Sequence, residues 1–125
     1  MKRLVFESWL LLLYFEFIMH FRGFKQVYDI VREQKVCPAT TGDRPLSVEL
    51  CRAVDLACVF YFKTVLCLQR SAATSLLLRR HGWAAEMVIG TQVLPFKSHA
   101  WVELSGVVVN DKPYMLDIYR VLDRC

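Results

Sequence analysis

At Gly82 the hydrophobic pattern of this chain changes period, and that switch limits what it can fold into. Before Gly82 the apolar residues recur at helical spacing. Phe24, Val27, Tyr28 and Val31 fall at i, i+3, i+4 and i+7, one face of a short helix. The Cys37-Pro38 step and the turn-rich ATTGDRP form the clear linker. A longer helix is expected from Ser47, with Leu50, Cys51, Val54, Ala57, Cys58, Tyr61 and Phe62 on one apolar face. Glu49, Arg52 and Asp55 fall on its other side. The next helix runs from Cys67 through CLQRSAATSLLLRRHG, with Arg79, Arg80 and His81 in the last turn and Gly82 as the stop. After Gly82, AAEMVIGTQV, SHAWVEL and VVVND are short β-rich segments separated by turn signals. YMLDIYRVLDRC follows as a last strand or turn. Helices first and an antiparallel sheet second predict an α+β domain.

The N-terminal MKRLVFESWLLLLYFEFIMHFRGF is apolar enough to raise a membrane question. It lacks the small-residue cleavage site of a signal peptide. Glu7 and Glu16 interrupt the apolar stretch, and each costs a few kcal/mol at membrane depth. A buried or partner-facing helix is therefore favoured, with a membrane-surface helix second and a span last. A chain of 125 residues suits one domain, an apolar helical part over 1–36 and a core over 46–125. Apolar residues make up 55% of it, a surplus that hints at a docking surface.

Other classes are disfavoured. The net charge of +4 is mild and the basic residues are scattered, so no nucleic-acid partner is expected. The five cysteines, Cys37, Cys51, Cys58, Cys67 and Cys125, are odd in number and contain no C-x-x-C pair. They read as reduced thiols of a cytoplasmic protein, not as a zinc site or a disulfide scaffold. No metal or cofactor is expected, and Gly82, Gly90 and Gly106 form no phosphate-binding loop.

PFKSHAWVELSGVVVND, residues 95–111, carries the chemistry-bearing candidates. A two-residue turn at Ser105-Gly106 would pair Leu104 with Val107 and turn His99 and Asp111 to opposite faces. A three-residue loop, Leu104-Ser105-Gly106, would pair Glu103 with Val107, Trp101 with Val109 and His99 with Asp111. We expect the second form, with Gly106 at the position that needs positive φ. Directly opposed residues share a face, with Cβ atoms about 4.5–5.5 Å apart. An imidazole there could donate to the carboxylate and keep its other nitrogen free, which is what a cysteine nucleophile needs of its base. Among the cysteines Cys67 is the one placed for that role. It opens a helix with no obvious cap, so its thiol lies among free backbone N–H groups, where thiolates are stabilised. Plainer readings stand beside this one. A helical cysteine is usually a packed hydrophobe, and a His–Asp pair on a hairpin is usually a surface pair worth under about 1 kcal/mol.

The motif run resembles the lasso-peptide biosynthesis protein B family, in its stand-alone form, the B2 leader peptidase. The matching pieces are C-L-x-R-S, L-L-R-R-x-G, the V-I-G strand, P-F-x-x-H-A-W-V-E and V-V-N-D, in order over residues 67–111, with YRVLDR also similar. The resemblance implies a transglutaminase-like, papain-related fold and a cysteine peptidase that removes the leader from a ribosomally made lasso precursor. Cys67 matches the nucleophile, His99 the base and Asp111 the orienting acid, while Trp101 matches a position of substrate or packing support. The implied partners are the precursor peptide, a leader-binding B1 protein (the RiPP recognition element) and an asparagine-synthetase-like cyclase. A weak membrane association through the N-terminal helix is a further expectation. Two other functions compete: an acyl transferase of transglutaminase type, and a non-catalytic membrane-associated binding protein.

Overall fold

In the computed structural model, which describes residues 2–37, 45–93 and 96–125, one helix sits between two layers. That helix is α4 (Cys67–Arg80), and from Leu68 to Arg79 every residue except Arg70 is buried. Its small residues, Ser71, Ala72, Ala73 and Ser75, let neighbours approach from both sides. On one side pack α1 (Lys2–Phe21) and α3 (Ser47–Val59), and α2 (Phe24–Glu33) touches both α1 and α4. On the other lies a four-stranded sheet of β1 (Ala85–Gln92), β2 (Lys97–Leu104), β3 (Val107–Val108) and β4 (Arg120–Arg124), in the order β3-β2-β1-β4. All its pairings are antiparallel. A single turn, α5 (Met115–Ile118), leads into β4. This is the expected α+β architecture. The main core joins Leu12 and Phe15 of α1, Val27 and Val31 of α2, Leu50 and Val54 of α3, and Leu77 and Leu78 of α4 to Met87 and Val102 of the sheet.

Strand alternation divides the sheet's side chains. Ala85, Met87, Ala100 and Val102 belong to the core shared with the helices. Val88 and Trp101 point the other way, against Met115, Tyr119 and Val121.

The end of α4 has a full set of stop signals. Gly82 has φ of 89°, Trp83 N–H donates to the Leu78 carbonyl at 2.9 Å and Gly82 N–H to that of Arg79 at 3.2 Å. That is the Schellman arrangement, and it closes α4 where the sequence places its end. Ser47 likewise opens α3 as expected. Leu50, Cys51, Val54 and Ala57 are buried, but α3 stops at Val59, so the helical period that would carry Phe62 inward is lost and Phe62 is 66% exposed. Residues 38–44, most of the expected linker, and residues 94–95 lie outside the described residues.

The β2–β3 hairpin departs from expectation. Leu104 pairs with Val107 and Glu103 with Val108, so the turn has two residues, not three. Ser105 takes a φ of 50° and Gly106 of 81°. Two consecutive residues at positive φ give the type I′ pattern, whose twist matches the flanking strands. The three-residue loop assumed that Gly106 alone would be left-handed; Ser105 joins it, and the register shifts by one.

Candidate active site

Cys67 is the first residue of α4 and is partly exposed. The N-cap residue, Leu66, offers no capping side chain; Gln69, buried in the first turn, bonds the Leu66 N–H and ties the helix start to α1. Its Nε2 donates to the Leu12 carbonyl at 2.8 Å, and its Oε1 accepts from the Leu66 N–H at 3.4 Å. Cys67 borders a cavity of about 280 Å³. Phe24 and Tyr28 of α2, Leu66, Ile89 of β1 and His99 of β2 share its wall, which is mostly apolar. Burial raises the Tyr28 phenol above its ordinary range, and Cys125, Cys67 and Asp123 push the same way.

His99 Nε2 lies 2.5 Å from Asp111 Oδ2. The pair forms although the hairpin register would turn the two side chains apart, and Asn110 is the reason. After β3, Val109 N–H still donates to the Val102 carbonyl at 2.9 Å. The next partner of β2 is a side chain, since Asn110 Oδ1 accepts from the Val102 N–H at 2.7 Å. Asn110 Nδ2 donates to Ser71 Oγ at 3.2 Å, Ser71 in turn donates to the Ala100 carbonyl at 3.0 Å, and the Arg70 guanidinium donates to the Asn110 carbonyl. Asn110 is thus held to β2 and to α4 together. The backbone leaves the ladder there, and Asp111 swings onto His99. His99 and Asp111 meet as expected, but through a different register from the one expected.

The His99 ring is also held from the side. It stacks on Tyr119, with centroids 5.4 Å apart and planes 25° from parallel, and on Trp101 at 6.2 Å and 30°. Trp101 is fully buried, and its Nε1–H donates to Glu103 Oε2 at 2.8 Å. Glu103, itself 2% exposed, accepts from Arg124 Nη1 at 2.8 Å on its other oxygen. Gly90 lies opposite His99 in β1. A Cβ there would come within 2.6 Å of the Trp101 ring and 2.8 Å of Tyr119 Cβ, so this stack requires glycine.

The sequence singled out Cys67, His99, Asp111 and Trp101 but not the residues that bond to or stack on them. Arg70, Ser71 and Asn110 lie within the motif pieces C-L-x-R-S and V-V-N-D, and their spacing alone did not reveal that they bond to one another. Glu103, a carboxylate inside a strand, and Gly90, a glycine inside a strand, were the visible signals for the rest.

The other candidates fall elsewhere. Burial pushes the thiols of Cys51 and Cys58 up to about 11. Cys37 is exposed in the segment after α2, and Cys125 lies 3.7 Å from Arg32 Nη2. His81 faces Glu7 at 3.5 Å, and His20 is exposed on α1. Asp123 pairs with Arg32, and Asp117 sits in the turn α5. Among the described residues no three His, Cys, Asp or Glu side chains converge as a metal ion would need.

Comparison with known proteins places the fold. Residues 11–124 match the family described as the transglutaminase-like superfamily. The chain belongs to that superfamily. It is also 43% identical over 56 residues to the microcin J25-processing protein McjB of Escherichia coli. That alignment covers 45% of this chain and 27% of McjB, so the chain spans well under half of that relative. Both findings support the resemblance carried by the motif run. No solved structure matches.

Proposed function

We propose that this transglutaminase-like chain is a cysteine peptidase that cuts the leader from a ribosomally made lasso-peptide precursor. One observation carries the reading: a histidine bonded to an aspartate borders the same cavity as a cysteine at a helix start. The similarity to a microcin-processing protein supports the substrate class. In the proposed reaction His99 takes the Cys67 thiol proton on its free ring nitrogen, Nδ1, while Asp111 holds Nε2–H and stabilises the imidazolium. The thiolate attacks the carbonyl carbon at the leader–core junction. The backbone N–H of Cys67 is a donor for the oxyanion that forms. Collapse breaks the C–N bond, and His99 returns its proton to the departing core amine. Water, deprotonated by His99, then hydrolyses the leader thioester and frees the thiol.

Among the described residues the Cys67 thiol makes no hydrogen bond to His99. Such bonds often tighten only in the substrate complex. In this reading Trp101 acts as packing support for His99, since it is buried behind the ring. A leader-binding partner presents the precursor, and a separate cyclase uses the freed amine.

The test is mass spectrometry of precursor incubated with the chain and its leader-binding partner. Leader and core should separate with wild type and stay joined with Cys67→Ala. Full cleavage by Cys67→Ala would remove Cys67 from the mechanism. Added amine distinguishes acyl transfer, because a leader–amine adduct in place of the free leader acid would identify a transferase.

A further inference from the structure

We infer that the outward face of α1 docks on an anionic lipid bilayer, with the helix lying in the plane of the membrane surface. The inference is independent of the peptidase reading. Phe6, Leu10, Leu13, Phe17 and Phe21 form a helical stripe on the solvent side of α1. Phe6, Phe17 and Phe21 are each at least 60% exposed. Phe60 and Phe62, just beyond α3, widen the stripe and line shallow grooves with it. A monomeric soluble surface rarely carries so large a contiguous apolar patch.

Charge decides the occupant. Both acids of α1 are half-buried and paired: Glu7 lies 3.3 Å from Arg80, and Glu16, at the edge of the groove beside Phe17 and Phe62, lies 3.1 Å from Lys63 and 3.4 Å from Gln69 Nε2. Every exposed residue from Lys2 to Phe21 is apolar, aromatic, histidine or basic, and none is a carboxylate. Exposed cations stand at both ends, Lys2 and Arg3 before the stripe and Arg22 and Lys25 after it. Hydrocarbon flanked by cations is complementary to acyl chains beneath anionic headgroups. It offers few hydrogen-bonding groups to a protein surface. A second copy docked antiparallel would set Lys2 and Arg3 against Arg22 and Lys25, like charge on like. A span would draw Leu11, Leu12 and Phe15 out of the core to which they belong. Of the two membrane readings, a helix on the surface is the one that keeps that core intact.

Co-sedimentation of the full chain with lipid vesicles tests this. Wild type should pellet with vesicles of mixed phosphatidylglycerol and phosphatidylcholine, and less as salt rises. Phe17→Ser with Phe21→Ser should lower the partition more than about tenfold with an unchanged melting midpoint. Lys2→Ala and Arg3→Ala should each lower it about fivefold on anionic vesicles and leave binding to phosphatidylcholine alone unchanged. Cys67→Ala should pellet like wild type, which separates this result from the fate of the peptidase reading. Wild type left in the supernatant with both vesicles would overturn the inference. So would Phe→Ser variants that pellet normally, or a dimer in light scattering that those variants abolish.

Discussion

The two ends of α4 are built on opposite plans. At the far end Arg79, 5% exposed, spreads its guanidinium over four carbonyls. Nε donates to Ala85 at 2.9 Å, Nη1 to Val31 and to Gln34 at 3.2 Å, and Nη2 to Cys125 at 2.6 Å. Its own carbonyl accepts from the Cys37 N–H at 2.9 Å. One side chain thereby joins α2, the segment after it, β1 and the residue following β4. Burial lowers the affinity of this guanidinium for its proton, and the carbonyls compensate by accepting from its N–H groups. At the near end Cys67 meets a cavity, the N-cap Leu66 has no capping side chain, and Gln69 is the tether to α1. The contrast separates stability from chemistry along one helix. The end that holds the fold is saturated with hydrogen bonds, and the end assigned to reaction keeps its backbone donors available.

That division can be broken by substitution. Cys67→Ala should reduce leader removal by about 10^4-fold or more while the urea midpoint stays put; a loss of stability would mean that the near end also holds the fold. Asp111→Asn should lower the cleavage rate by about 10^3- to 10^4-fold, again without unfolding, as read from single-turnover rates. Arg79→Met should cost about 3–5 kcal/mol in urea unfolding, because it strands buried carbonyls. A cost below about 1 kcal/mol would erase the contrast. Gln69→Leu should cost about 1–2 kcal/mol and also slow cleavage, since it frees the start of α4 from α1. The finest test is alkylation. Thiols with pKa of about 11 remain protonated below that pH, so Cys51 and Cys58 should resist iodoacetamide at pH 8 and react only as pH climbs towards 11. Peptide mapping should find Cys67 modified before either of them.

How much of this was legible depended on range. Both ends of α4 were readable, because a start without a cap and a stop at Gly82 are written within one or two turns. The strands were readable from their period. The hairpin register was not, because Ser105 adopts a left-handed conformation that serine visits rarely, and only packing of the whole sheet selects it. The inward face of α3 was overextended to Phe62 because periodicity does not reveal where a helix stops. The supports of His99 were hidden for another reason. Tyr119, Gly90 and Asn110 lie on different elements, and no local pattern records that they meet. The N-terminal helix is long and apolar enough to cross a membrane, and its two acids, read as interruptions of the apolar run, are half-buried in ion pairs with Arg80 and Lys63.

The Asn110 amide has a consequence for chain engineering. Asp111 is positioned by bonds from Asn110 to Val102, Ser71 and Arg70, not by counting residues around the hairpin. The tip at Ser105-Gly106 is therefore a seam. A circular permutant opened there, or two fragments divided there and mixed, would still bring the aspartate to the imidazole, provided that asparagine travels with it.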